Sequence, residues 1–108
     1  MNLYTYEFEC IVLIKKILKL AKKKGFKSFF KEGFEFQGKY YICLERCLEI
    51  QTQKIYYDLV IETEGGLWRI PILKNGPKNG LKWWPDEKQI PNKEVVKILK
   101  NLYAFLKA

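Results

Sequence analysis

The two ends of the 108-residue chain carry apolar side chains at helical spacing. Between Cys10 and about Lys24, apolar positions fall on one side of a helix turned by about 100° per residue, and lysines fall on the other. Gly25 follows at the position where a glycine commonly ends a helix. From about Lys93 a second helix is predicted, with Asn92 as its N-cap. The apolar face of this second helix contains Val95, Ile98, Leu99, Leu102, Phe105 and Leu106.

The segments around the first helix are less regular. Aromatic residues alternate with polar ones over residues 4–9, a pattern that fits either a short strand or a first helical turn. The phenylalanines of residues 26–30 indicate a turn of helix or a loop packed under the core. Residues 34–36 predict a short strand, and Gln37-Gly38 predicts a tight turn into the next one.

Residues 39–73 show the period of two that is typical of antiparallel strands. One predicted face contains Tyr40, Ile42, Leu44, Leu48, Ile50, Ile55, Tyr57, Leu59 and Ile61. Pro71 cannot donate a hydrogen bond to a neighbouring strand, so the last strand is predicted to lie at the edge of the sheet.

The dipeptide Gly65-Gly66 predicts a two-residue hairpin turn between the last two strands. A turn at these residues would pair Ile61 with Ile70 on the buried face. It would also place Glu62 opposite Arg69 on the other face, as a favourable cross-strand ion pair.

These elements predict an α+β fold with two layers: an N-terminal helix, a three- to four-stranded antiparallel sheet and a C-terminal helix. Each helix has one apolar face, so both most simply lie on one face of the sheet. Residues 1–108 are expected to form a single domain, because this length leaves no room for a second core. No apolar run reaches the roughly 18–20 residues of a membrane span. The start of the chain lacks the charge of a secretory signal, so a soluble, cytoplasmic protein is expected.

The net charge of +8 is unevenly distributed along the chain. Residues 10–31 hold eight lysines and no acidic residue, and a helix face of one sign favours a polyanionic partner. The loop KNGPKNGLKWW at residues 74–84 adds lysines that can contact phosphates and tryptophans that can stack on bases. At least one of these tryptophans is also expected to plug the core. The predicted nucleic-acid-binding residues are Lys15, Lys19, Lys22, Lys23, Lys74, Lys78, Lys82, Trp84, Lys93 and Lys97.

The polar face of the predicted sheet is an alternative binding surface. Its acidic residues and tyrosines would suit a cationic partner protein, as in an immunity protein, an antitoxin or a phage-type inhibitor. The residues predicted for this protein-binding alternative are Tyr41, Glu45, Tyr56, Asp58, Glu62 and Arg69.

Little in the chain indicates catalysis. There is no histidine and no glycine-rich phosphate-binding motif, and the three cysteines lack the spacing of a metal site. Asp58 and Glu62 share a strand face, but the following strand offers only Arg69, so a metal-dependent nuclease site is disfavoured. We therefore expect no enzymatic activity, cofactor, metal or small-molecule substrate, and free thiols in a reducing compartment.

Arg46 interrupts the apolar alternation of its strand, between Leu44 and Leu48. A bulge, or a side chain that reaches from the end of the sheet into water, is the simpler interpretation. The alternative is a buried arginine that pairs with an acidic group or a ligand.

The order of helix, three antiparallel strands and helix over residues 10–107 resembles that of the double-stranded RNA-binding domain. That family reads RNA partly through a lysine cluster at the start of its last helix, where the sequence NKEVVKILK supplies only Lys93 and Lys97, with Glu94 between them. The glycine and histidine features of the family's hairpin are missing. The resemblance implies RNA binding by the last helix, and it lies in the order of elements alone.

Overall fold

The computed structural model describes residues 3–72 and 90–108, and it contains three helices and four strands within them. The helices are α1 (Leu3–Lys23), α2 (Lys27–Phe30) and α3 (Asn92–Lys107). The strands are β1 (Phe34–Phe36), β2 (Tyr40–Leu48), β3 (Ile55–Thr63) and β4 (Gly66–Ile72). They form one antiparallel sheet in chain order, which confirms the predicted α+β layout. Residues 4–9 are helical, so the strand alternative for them is wrong.

The chain divides into two compact units. The first, called the helical unit below, consists of Met1–Lys27 and Ile90–Ala108 and contains α1 and α3. The second, called the sheet unit, consists of Ser28–Gln89 and contains all four strands. The expectation of a single domain over residues 1–108 stays a prediction. None of the described helices is both long and apolar enough to cross a membrane.

Within the helical unit, α1 and α3 pack side by side. The Cys10 thiol lies 3.9 Å from the carbonyl oxygen of Asn92, and the Lys24 ammonium donates to the carbonyl of Ala108 at 3.2 Å. Cys10 precedes Lys24 in the chain, just as Asn92 precedes Ala108. The two helices therefore run in the same direction. Their buried side chains are Cys10, Ile14, Ile17 and Ala21 on α1 and Val95, Val96, Ile98, Leu99, Leu102 and Leu106 on α3. Phe105 is 56% exposed, so its predicted place in the core is wrong.

The two helix ends that the sequence predicts have different outcomes. Gly25 adopts a φ of +67°, and the next N–H, that of Phe26, donates to the carbonyl of Ala21 at 2.9 Å. This glycine therefore ends α1 as predicted. At the start of α3, however, the N-cap is Pro91 rather than Asn92, and no side chain caps the helix. Backbone N–H groups donate instead to the Pro91 carbonyl, so Asn92 is already helical.

The hairpin between β3 and β4 forms one residue earlier than the glycine pair predicts. Thr63 pairs with Gly66, which leaves Glu64 and Gly65 as the turn. The turn needs a positive φ only at Gly65, where it is +79°, so Gly66 can begin β4. The predicted pairs are therefore shifted by two residues along β4. An even shift keeps every side chain on its predicted face while it changes the partners.

The pairing of β2 with β3 is unbroken along β2, from Tyr41 to Leu48. Arg46 lies opposite Tyr57 in this ladder, so the predicted bulge is wrong. Its side chain is exposed, which agrees with the predicted side chain that reaches into water and contradicts the alternative of a buried arginine. Pro71 lies in β4 at the edge of the described sheet, as predicted.

Close packing at Gly33 holds the start of β1 against β2. Gly33 has a φ of +83°, and a Cβ at this position would lie 2.5 Å from the Cβ of Cys43 and 2.8 Å from the carbonyl oxygen of Ile42. Beside it, the Tyr41 hydroxyl donates a hydrogen bond to the carbonyl of Glu32. Only glycine fits both the backbone conformation and the space.

We expect Gly33→Ala to lower the free energy of unfolding by about 3 kcal/mol, because it combines backbone strain with an overlap with β2. Gly65→Ala is the matched control, since its φ is nearly the same and no atom lies within 4 Å of the added Cβ. That variant should lose only about 1 kcal/mol. Urea denaturation of both variants gives the comparison, and equal losses would contradict the packing at Gly33.

Candidate functional site

The helical unit carries the whole net charge of the protein. It contains eleven lysines and three glutamates, which gives +8. The sheet unit contains nine basic and nine acidic residues, so its charges balance. A potential that attracts a polyanion is therefore expected from the helical unit alone.

The lysines predicted on α1 lie on its solvent-facing side. Lys15, Lys19, Lys22 and Lys23 are all exposed, and so is Lys16. None of them forms an ion pair with an acidic group within residues 3–72 and 90–108. From residue 15 to residue 23 the helix rises about 12 Å, so these amines form a row roughly two turns long.

The lysines of α3 differ in their contacts. Lys93 and Lys97 are exposed, and neither forms an ion pair among the described residues. Lys100 lies 3.2 Å from the carboxylate of Glu9 on α1, and Lys107 lies over the ring of Tyr103. The two lysines that the sequence predicts as binding residues are therefore the ones at the start of α3.

The other predicted nucleic-acid-binding residues, Lys74, Lys78, Lys82 and Trp84, lie outside the residues that the structure describes. Their role stays a prediction, as does the role of Trp83.

The second candidate surface is the polar face of the sheet. The register brings all six predicted protein-binding residues to one face, because Tyr41 lies opposite Glu62 and Glu45 lies opposite Asp58. Arg69 and Tyr56 share this face by the same alternation. The sequence predicted the common face correctly because it depends on the period of two and not on the exact partners.

Arg69 forms ion pairs with two acidic residues of this face, Glu45 and Asp58. One of its terminal nitrogens lies 2.8 Å from a carboxylate oxygen of Glu45, and the other lies 3.1 Å from Asp58. The predicted pair of Arg69 with Glu62 is wrong, since Glu62 lies opposite Leu67 and Arg69 lies opposite Val60. The single positive charge of Arg69 thus offsets one of the two negative charges of Glu45 and Asp58.

Of the two acidic residues that pair with Arg69, Asp58 is the buried one. It is 5% exposed, and its second oxygen, Oδ1, has no hydrogen-bond partner among the described residues. Burial acts to lower the pKa of the Arg69 guanidinium, but its hydrogen bonds to Glu45 and Asp58 outweigh burial and raise that pKa. Arg69 therefore stays charged and compensates the buried carboxylate. The sequence analysis placed Asp58 on a polar binding face, and the alternation of residues gave no signal of its burial.

Two thiols also lie on the polar face of the sheet, and the sequence analysis did not predict them there. Cys43 and Cys47 flank Glu45 on β2 and point to the same side of the sheet. Burial first, and then the charges of Glu45 and Glu62, raise the pKa of Cys43. Burial and the charge of Asp58 raise the pKa of Cys47 in the same way. Both thiols are therefore protonated at neutral pH, which makes them poor nucleophiles.

The arrangement of the acidic residues offers little to a metal ion. Within the part of the chain that the structure describes, no group of three or more histidine, cysteine, aspartate or glutamate side chains is placed to hold a metal. Asp58 faces Arg69, and Glu62 stands apart from that ion pair. The face is suited to contact with another molecule through charge and aromatic rings.

We expect Asp58→Ala to lower the free energy of unfolding by about 2 kcal/mol, because Arg69 would keep its burial and lose one of its two carboxylates. Glu62→Ala is the matched control on the same strand and face. Glu62 is exposed and forms no ion pair among the described residues, so its loss should change stability by less than about 0.5 kcal/mol. Thermal and urea unfolding measure both, and a similar cost for the two variants would contradict the buried pair.

The raised pKa values of Cys43 and Cys47 predict a loss of stability at alkaline pH. In the unfolded chain the thiols lose their protons near the ordinary pKa of 9.0, whereas the folded chain retains them to higher pH. Stability from these groups is therefore full below pH 9.0 and falls as the pH rises through their folded pKa. The double variant with both cysteines changed to alanine should show a shallower fall as the pH rises above 9.0. Equal slopes would show that the thiols do not contribute.

Comparisons with models of known protein families, with curated proteins and with solved structures found no match. The resemblance to the double-stranded RNA-binding domain thus rests on the order of elements alone. The chemistry of the described residues is what supports a function for this chain.

Proposed function

We propose that the protein is a small, non-enzymatic module that binds nucleic acid through the lysines of its helical unit. The observation that carries this proposal is the row of exposed lysines on α1, which has no acidic residue beside it and forms no ion pair among the described residues. An ordinary exposed helix mixes its charges and gains stability from i,i+4 pairs. A row of lysines without acidic neighbours lacks the stabilisation of these ion pairs, and a bound polyanion would supply the negative charge.

The expected mode of binding is contact with the phosphate backbone. Lysine ammonium groups take the place of cations that are condensed on the phosphates of a duplex. The release of these cations favours binding without selecting a sequence. The row on α1 contains no aromatic residue between positions 15 and 23, so it offers no ring on which an unpaired base could stack. Duplex DNA or RNA is therefore the favoured ligand of this surface.

Other residues extend the proposed surface. Lys93 and Lys97 add two exposed charges at the start of α3. Lys74, Lys78, Lys82 and Trp84 are proposed as further contacts from the loop that the sequence indicates. The proposal requires no cofactor, metal or small-molecule substrate. It places the protein in the cytoplasm, which suits three cysteines that form no disulfide.

The alternative proposal is a protein inhibitor that binds a cationic partner through the polar sheet face. The shared face of Tyr41, Tyr56 and Glu62 supports it. The ion pairs of Arg69 count against it, because its positive charge offsets one of the two carboxylate charges of Glu45 and Asp58 and leaves less negative charge for a partner. Nucleic-acid binding is favoured for this reason.

The test is the binding of the full chain to a random-sequence duplex of about 20 base pairs, followed by fluorescence anisotropy across a salt series. We expect affinity to fall steeply with salt. The double variant Lys19→Glu and Lys22→Glu should weaken binding at least about tenfold at low salt and reduce the slope of log affinity against log salt by about 2.

The control is the double variant Lys31→Glu and Lys54→Glu, which makes the same change in net charge at exposed positions of the sheet unit. It should bind nearly as well as the unmodified protein. Equal losses in the two double variants would show attraction by net charge without a specific surface. No binding even at low salt would reject the proposal and leave the inhibitor alternative.

A further inference from the structure

One end of the sheet exposes a group of apolar side chains around a single arginine. This group, called the strand-end patch, consists of Arg46 and Leu48 on β2 and Ile55 and Tyr57 on β3. Leu48 is 55% exposed, Ile55 49% and Tyr57 45%. Ile50, two residues beyond Leu48, is 81% exposed.

The patch is contiguous because the register places its members directly opposite one another. Leu48 pairs with Ile55, and Arg46 pairs with Tyr57. At the other end of the same face, residues such as Ile42 are fully buried. Single exposed apolar residues are ordinary on a protein surface, but a contiguous set marks a surface that other molecules contact.

Arg46 gives the patch its chemical character. It is the only charged residue among the strand positions on this face of the sheet. It forms no ion pair within residues 3–72 and 90–108, whereas Arg69, on the opposite face, contacts two carboxylates. An arginine and a tyrosine side by side among aliphatic residues match the composition of binding hot spots.

We propose that the strand-end patch is a docking surface for a protein segment that presents a carboxylate among aliphatic side chains, such as an amphipathic helix with one acidic residue on its apolar face. The aliphatic residues would cover Leu48 and Ile55, and the carboxylate would pair with the Arg46 guanidinium. The partly apolar surroundings strengthen such a pair relative to one in open water.

Other occupants fit the patch less well. A second copy related by a two-fold axis through the patch would bring two Arg46 guanidinium groups together, with no acidic residue on the patch to separate them. A nucleic acid would find one cation among apolar side chains, in contrast to the row of amines on α1. The patch lies wholly within the sheet unit, so this inference is independent of the proposed nucleic-acid binding.

The test uses three synthetic helical peptides of about 18 residues that differ at one position. Each has leucines at i±3 and i±4 around a central residue, which is glutamate, glutamine or lysine. Binding to the full chain is measured by fluorescence anisotropy, and the contact is located by NMR shifts of the methyl groups of Leu48 and Ile55. We expect the glutamate peptide to bind at least about tenfold more tightly than the lysine peptide.

Charge reversal makes the test specific to Arg46. The variant Arg46→Glu should reverse the order and prefer the lysine peptide. The variant Lys39→Glu, which makes the same charge change at the exposed residue just before β2, should leave the order unchanged. Unfolding curves check that both variants fold. The proposal is overturned if the three peptides bind equally or if none binds up to about 1 mM. It is also overturned if the methyl groups of Leu48 and Ile55 do not shift while others do, or if Arg46→Glu leaves the order of the peptides unchanged.

Discussion

The alternation of side chains across an antiparallel strand is the constraint on which the sheet unit depends. Because the period is two, residues 43, 45 and 47 of β2 face one side and residues 44, 46 and 48 face the other. The two arginines of the sheet are separated by this rule. Arg69 meets Glu45 and Asp58 on one face, and Arg46 lies opposite Tyr57 on the other, where it forms no ion pair among the described residues. The same residue type thus completes an internal ion pair in one place and remains available to a partner in another.

The alternation also explains how far the sheet could be predicted from the sequence. A slip of two residues along β4 leaves every face unchanged, so the polar face was predicted correctly while the partner of Arg69 was not. Turn chemistry decides the register, and Gly65 and Gly66 allow two turns that differ by one residue. The pair of Asp58 with Arg69 could not be predicted, because the wrong register placed Arg69 opposite Glu62.

In the helical unit, periodicity predicted the elements well and their boundaries less well. The apolar stripes of α1 and α3 correspond to buried side chains in most positions, since a period of 3.6 leaves few alternatives for a stripe that long. Phe105 was misplaced because a residue near the border of the stripe can turn to either side. Asn92 was a reasonable N-cap by residue type, but the backbone enters the helix one residue earlier, at Pro91. The charge of the unit followed directly from composition, whereas the lack of ion pairs at the α1 lysines, among the described residues, required the structure.

The parallel packing of α1 and α3 has a consequence for synthesis of the chain. The helices are neighbours in space, but the whole sheet lies between them in sequence. Since α1 leaves the ribosome first, its apolar stripe has no α3 to cover it until the last helix has emerged. During that interval the lysines on the opposite side of α1 would repel those of neighbouring nascent chains, because all of them carry the same charge. The lysines of α1 that are proposed to bind a polyanion would thus also reduce aggregation of the incompletely synthesised chain.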